Sequence, residues 1–162
     1  MPELIRQHVL RVQQLTLPVY ILAFGAALIL FNIVFSVSVL AAERIFDTGL
    51  VTGSTFSRHG FWYKLIAGCV LAPVLETYMF QHLPYRYLRK RRFSKALIIV
   101  ISSLLFGIVH YYDWIYIIRA TLAGGILISA YILKPSASVS GLVTVSAVHA
   151  INNVFTLLIE SL

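Results

Sequence analysis

Residues 17–42, LPVYILAFGAALILFNIVFSVSVLAA, contain no charged side chain, and only Asn32, Ser36 and Ser38 interrupt the apolar run. At about 1.5 Å of rise per residue, a helix of this length crosses a hydrocarbon core of about 30 Å with some tilt. Its apolar region is too long for a signal peptide, and Leu40-Ala41-Ala42-Glu43 is a poor cleavage site, so the segment reads as a retained membrane helix. The remainder of the chain carries the same signature. Of its 162 residues 59% are hydrophobic and 12% charged, whereas a soluble domain has about 45 to 50% and about 25%. With a mean hydropathy of +0.87, the excess apolar surface finds a place only in lipid, which excludes a water-soluble globule.

Four more apolar segments follow: Phe61 to about Leu83, Ala96 to Tyr111, roughly Trp114 to Leu133, and about Val139 to Ile159. The expectation is a single integral membrane domain over residues 1–162, an all-α polytopic transmembrane bundle of about five spans. Glu43 to Gly60, with Asp47, Gly49, Gly53, Ser54 and Ser57, reads as a loop. The basic stretch from Tyr85 to Lys95, after Pro84, reads as an interfacial connection. The formal charge of +7 lies between the apolar segments, so it reads as a topological signal and implies no nucleic acid. With the amino terminus in the cytoplasm, Arg6, Arg11, the six cations from Arg86 to Lys95 and Lys134 fall inside. Arg44, Arg58, Lys64 and Arg119 fall outside, and the nine-to-four split favours that orientation. Cys69, the single cysteine, forms no internal disulfide. Ala120, Gly124, Gly125 and Ser129 suit close helix packing in lipid.

Charged side chains at a membrane helix centre cost at least about 2.5 to 3.5 kcal/mol on insertion scales, so each intramembrane ionisable group is a candidate for function. Here these are Glu76, His82, His110, Arg119 and His149, with Thr77, Gln81, Asn152 and Asn153 nearby. Glu76 has no cation in the surrounding run, Leu71 to Phe80, so its partner must come from another helix. Pro73, three residues earlier, frees a backbone carbonyl that a neighbour has to satisfy. His110 has Phe106 one turn before it, and His149 has Asn153 one turn after it. Counting rise from the cytoplasmic ends places Glu76, His110, His149 and Asn153 within about 10 Å of one another in depth. His82 reads as interfacial, Arg119 as snorkelling or pairing with Asp113, and His8 and His59 as exposed.

Three stretches in order, Glu76-Thr77-Tyr78-Met79-Phe80-Gln81, Phe106-Gly107-Ile108-Val109-His110 and His149-Ala150-Ile151-Asn152-Asn153, resemble the motifs EExxxR, FxxxH and HxxxN. These belong to the CPBP intramembrane proteases, also called the Abi or CAAX prenyl protease type. Ala72-Pro73-Val74-Leu75 before the glutamate is similar to that family as well, and the resemblance covers roughly residues 71–155. The chain departs from the pattern at Thr77, where the second glutamate stands, and at Gln81, where the arginine stands. Both members of a potential ion pair have become neutral together, which fits a pair that buttresses Glu76 and takes no part in the chemistry. The expectation is that the Thr77 hydroxyl and Gln81 amide hydrogen-bond one turn apart and the site stays active.

Peptide hydrolysis needs an activated water, a proton donor for the leaving amine and stabilisation of the oxyanion. A carboxylate stripped of water is a stronger base than a hydrated one, which suits Glu76 as general base. The resemblance implies that Glu76 and His110 act on the water and that His149 and Asn153 act on the oxyanion, with Phe106 supporting. The same one carboxylate and two imidazoles match a catalytic zinc set of Glu76, His110 and His149; the expectation is a mechanism with no required cofactor. The implied substrate is a peptide or membrane protein, whether a prenylated carboxyl-terminal motif or a bacteriocin leader, met in the bilayer of a bacterial plasma membrane. Three alternatives remain open: a non-catalytic immunity or scaffold protein, a haem carrier ligated by two histidines, and a proton-coupled carrier, which the lack of an inverted repeat disfavours.

Overall fold

The computed structural model describes residues 3–47, 60–111, 113–134 and 140–161. These form helices α1 (Glu3–Gln13), α2 (Leu17–Phe46), α3 (Phe61–Lys90), α4 (Lys95–Ile108), α5 (Trp114–Leu133) and α6 (Gly141–Glu160), with no strand among the described residues. Helices α2, α3, α5 and α6 are long and apolar enough to cross a membrane. The third expected span is the exception: α4 has 14 residues, or about 21 Å of rise, less than a hydrocarbon core of about 30 Å. The architecture is the expected all-α polytopic bundle. Helix α1 escaped the sequence reading because ELIRQHVLRVQ is too polar to give a membrane signal, and it buries no residue.

Helix boundaries differ where local chemistry outweighs hydropathy. Helix α2 runs past the expected loop start at Glu43 to Phe46, and Asp47 closes it in the left-handed region, donating its N–H to the Glu43 carbonyl. Residues 48–59 of that expected loop, with Gly49, Gly53, Ser54, Ser57, Arg58 and His59, lie outside the described residues. Helix α3 does not stop at Pro84; it continues to Lys90 and carries half of the expected basic connection. Two π-helical stretches, Lys64–Leu71 and Thr77–His82, widen it so that the Ala72 N–H reaches the Ala67 carbonyl and the Leu83 N–H reaches that of Tyr78, each five residues back. A widened turn relieves the clash between a proline ring and the carbonyl four residues back. Ser94 caps α4 by accepting from the Leu97 N–H at 3.2 Å, and Asp113 caps α5 by accepting from the Tyr116 N–H at 2.7 Å.

The bundle centre is lined by Tyr20, Leu28, Ile98, Phe106, Leu127, Ile128, Val145 and Val148, drawn from α2, α4, α5 and α6. Leu22, Leu30 and Val37 on α2 are more than half exposed, the pattern of a helix whose outer face meets lipid. The small residues of α5 do what the sequence implies. A methyl group added at Gly124 would sit 3.0 Å from the Phe106 Cβ, and one added at Gly107 on α4 would collide with Thr121. Backbones of α4 and α5 therefore approach closely, which fixes Phe106 and, through it, the end of α4.

Candidate active site

Glu76 leaves α3 between its two widened stretches and meets side chains from α4 and α6. Its Oε2 lies 3.7 Å from Nε2 of His149 and 3.9 Å from Nε2 of His110. Both separations exceed a hydrogen bond, so the three groups face a shared space instead of pairing off. The Glu76 side chain is 26% exposed, against 16% for His110 and 7% for His149, which makes the carboxylate the accessible member. The partner that Glu76 lacks in the run Leu71 to Phe80 is thus supplied twice, from α6 and from the end of α4.

His110 follows the last turn of α4, and its Nδ1 lies 2.6 Å from the Phe106 carbonyl. A carbonyl only accepts, so Nδ1 donates, and Nε2 of the neutral ring presents a lone pair toward Glu76. The Phe106 ring packs at 4.6 Å on His110, 5.8 Å on His149 and 5.7 Å on Phe80. Phe106 is therefore a wedge between the two histidines, held from behind by Gly124. His149 is buried on α6, and its Nδ1 has no hydrogen-bond partner among the described residues.

Asn153, one turn beyond His149 on α6, is engaged with α3. Its Nδ2 donates to the Gly68 carbonyl on α3 at 2.8 Å, and among the described residues no hydrogen bond joins it to Glu76, His110 or His149. The cause is Pro73: in the i→i+5 pattern the residue that would donate to Gly68 is residue 73, which has no N–H. The carbonyl freed by this proline is satisfied by Asn153. Asn153 also accepts from Asn152 Nδ2 at 3.3 Å, and Asn152 accepts from Asn32 Nδ2 at 2.9 Å, so one amide chain links α2, α6 and α3. In the sequence Asn32 is only a weak interruption of α2, and its signal is that of an amide in a membrane span.

Thr77 and Gln81 are fully buried. The expected hydrogen bond between them is not formed: Thr77 Oγ1 and both amide atoms of Gln81 have no partner among the described residues. The π-helical Thr77–His82 stretch replaces the α-helical register on which an i,i+4 pairing depends. The expected alternative of an Arg119–Asp113 pair is not formed either, because Asp113 is turned to its capping role; the Arg119 guanidinium lies 5.3 Å from the Tyr116 ring centre. His82 is fastened rather than free, with Nδ1 at 2.7 Å from the Tyr131 hydroxyl and its ring stacked on Tyr78. His8 is exposed as expected.

Among the described residues, no group of three or more His, Cys, Asp or Glu side chains is arranged to hold a metal ion. A carboxylate flanked by two imidazoles is suited to moving a proton to and from a small molecule held in the shared space. No curated protein and no solved structure matches the chain. Residues 58–155 match the family described as type II CAAX prenyl endopeptidase, Rce1-like. That span takes in Glu76, Phe106, His110, His149 and Asn153 and somewhat exceeds the motif-bearing core expected at 71–155. The chain belongs to the Rce1-like family of type II CAAX prenyl endopeptidases, an integral membrane protein of the group its three motifs resemble.

Proposed function

We propose that the chain is an intramembrane endopeptidase that hydrolyses a peptide bond with a water activated by Glu76 and His110. The observation that carries this reading is the convergence of Nε2 of His110 and Nε2 of His149 on one oxygen of Glu76, at 3.9 and 3.7 Å. A water in the space they share donates one O–H to the Glu76 carboxylate and the other to the lone pair of His110 Nε2. Glu76 takes the proton as the water oxygen attacks the scissile carbonyl, and the carboxylic acid so formed returns it to the departing amine. His149 donates from Nε2 to the oxyanion. Asn153 carries a second amide N–H besides the one given to Gly68, and in this reading it is the further oxyanion donor. General base and acid steps of this kind contribute about 10² to 10⁴ in rate, and an oxyanion donor about 10² to 10³.

The substrate of this reading is a peptide or membrane protein presented in the bilayer, a prenylated carboxyl-terminal motif or a bacteriocin-like leader being the two classes to try. In this reading the amino terminus lies in the cytoplasm, which the distribution of Lys and Arg supports, and the membrane is a bacterial plasma membrane. No metal takes part in these steps; a zinc ion on Glu76, His110 and His149 is the alternative that a chelator separates. The haem alternative is weakened because both imidazoles turn to one carboxylate and one phenyl ring, whereas axial ligands face each other across a macrocycle. The test is cleavage of a quenched-fluorescent peptide library by detergent-purified protein. Turnover by wild type and its loss in Glu76→Gln support the endopeptidase. Equal turnover by both proteins defeats the assignment of Glu76, and a biological function retained by Glu76→Gln would favour a non-catalytic scaffold.

A further inference from the structure

The buried side-chain atoms without a partner among the described residues are Thr77 Oγ1, the two amide atoms of Gln81 and Nδ1 of His149. Thr77 follows Glu76 in sequence, Gln81 lies on the π-helical stretch that Thr77 opens, and His149 faces the Glu76 carboxylate. That stretch of α3 packs against α6, which carries His149. A buried polar atom left unpaired is costly, and three such side chains on two elements packed against each other call for a common explanation.

Their donor and acceptor inventory supplies one. If His149 is to donate from Nε2, its neutral ring must leave Nδ1 unprotonated, as an acceptor. His110 has the opposite arrangement, since its Nδ1 donates to the Phe106 carbonyl. Nδ1 of His149 therefore needs a donor. Thr77 brings an O–H and Gln81 an N–H₂, whereas an ionised glutamate at residue 77 would offer acceptors alone.

We infer that Thr77 and Gln81 are positioning residues for His149, bound to its Nδ1 through one shared buried water and holding the ring in the tautomer that donates from Nε2. The water accepts from Gln81 Nε2, exchanges a hydrogen bond with Thr77 Oγ1 and donates to Nδ1, which joins three of the four unpaired atoms in one network. The inference deepens the endopeptidase reading and rests on it for its purpose, though its geometry does not require turnover. It also gives the two departures from the family pattern a joint role: together they replace a charged pair with a neutral source of a hydrogen-bond donor.

The test is ¹⁵N NMR of imidazole-labelled full-length protein in detergent, with His149 assigned by its loss in His149→Ala. Wild type is expected to show His149 with a bare Nδ1 and a protonated Nε2. Thr77→Val and Gln81→Met remove the donors at nearly constant volume, and each should shift His149 toward the other tautomer or toward rapid exchange; Thr77→Ser should restore the wild-type signature. In the variants kcat should fall at least about tenfold with KM changed less than about twofold, since the loss is confined to the transition state. A His149 signal unchanged in both Thr77→Val and Gln81→Met overturns the inference whatever the activity. Stability discriminates in the same direction: removal of atoms that are truly unpaired would raise Tm, and removal of atoms joined in a network lowers it. Absence of cleavage by wild type would count against the endopeptidase reading and leave the tautomer result standing.

Discussion

Replacing Asn153 with alanine strands the Gly68 carbonyl, because Pro73 has no N–H to return to it and the 2.8 Å bond from the Asn153 amide is its replacement. A carbonyl left unpaired in an apolar surrounding costs about 1 to 3 kcal/mol. Loss of the Asn152 to Asn153 bond at 3.3 Å adds little, since that contact is long. Asn153→Ala should therefore destabilise the bundle by about 1 to 3 kcal/mol, measured by reversible unfolding in mixed detergent micelles. The cause is isolated by Pro73→Ala, which restores a backbone N–H at the position that pairs with Gly68 in the i→i+5 pattern. In that background Asn153→Ala should cost less, and the double-mutant cycle should give a coupling of about 1 kcal/mol. If Asn153→Ala lies within about 0.5 kcal/mol of wild type, or if the two substitutions are additive, the link between proline, carbonyl and amide is wrong.

Phe106→Ala should cost about 3 to 5 kcal/mol, because a buried phenyl ring is lost, and should lower turnover by releasing both histidines; thermal unfolding together with kcat checks this. Gly124→Ala places a methyl group 3.0 Å from Phe106 Cβ and should destabilise by about 1 to 3 kcal/mol, with turnover falling in parallel; wild-type Tm and kcat would contradict the wedge. Asn32→Leu should loosen α2 from α6 by removing the 2.9 Å bond to Asn152, by about 1 kcal/mol in the same unfolding assay, with KM and kcat close to wild type. Stripping divalent metal with a strong chelator should leave turnover unchanged; loss of activity restored by zinc would move Glu76, His110 and His149 from an acid-base role to a ligand set.

Hydropathy made the bundle legible, because a long apolar run such as Leu17 to Ala42 has few other fates. It was a poorer guide at ends and at depth. Helix α4 is shorter than its apolar segment, since the chain leaves the helix after Ile108 and leads into the cap of α5 at Asp113. Helix α3 is longer, since a widened turn carries it through Pro84, after which the apolar segment ends, as another carries it through Pro73. Within the site, Glu76, His110 and His149 stood out because ionisable groups are rare in lipid, and their motif spacing tied them together. What the sequence did not disclose was the partner of each polar atom. A period of four residues suggested a Thr77–Gln81 bond that the π-helical register does not make, and it could not reveal that Asn153 serves a carbonyl on another helix. Asn32 belongs with these: its amide is ordinary in composition and acquires meaning when α2 packs on α6.

The central claim is that the Glu76 carboxylate activates water for attack on a peptide bond. The most direct measurement takes one peptide cleaved by the wild type and compares kcat for wild type, Glu76→Gln, His110→Ala and His149→Ala in detergent, with the new termini identified by mass spectrometry. The account predicts one and the same cleaved bond, a fall of about 10² to 10⁴ in kcat for Glu76→Gln, and losses of at least about 10² for each histidine variant. Cleavage by Glu76→Gln at the wild-type rate and at the same bond would contradict it.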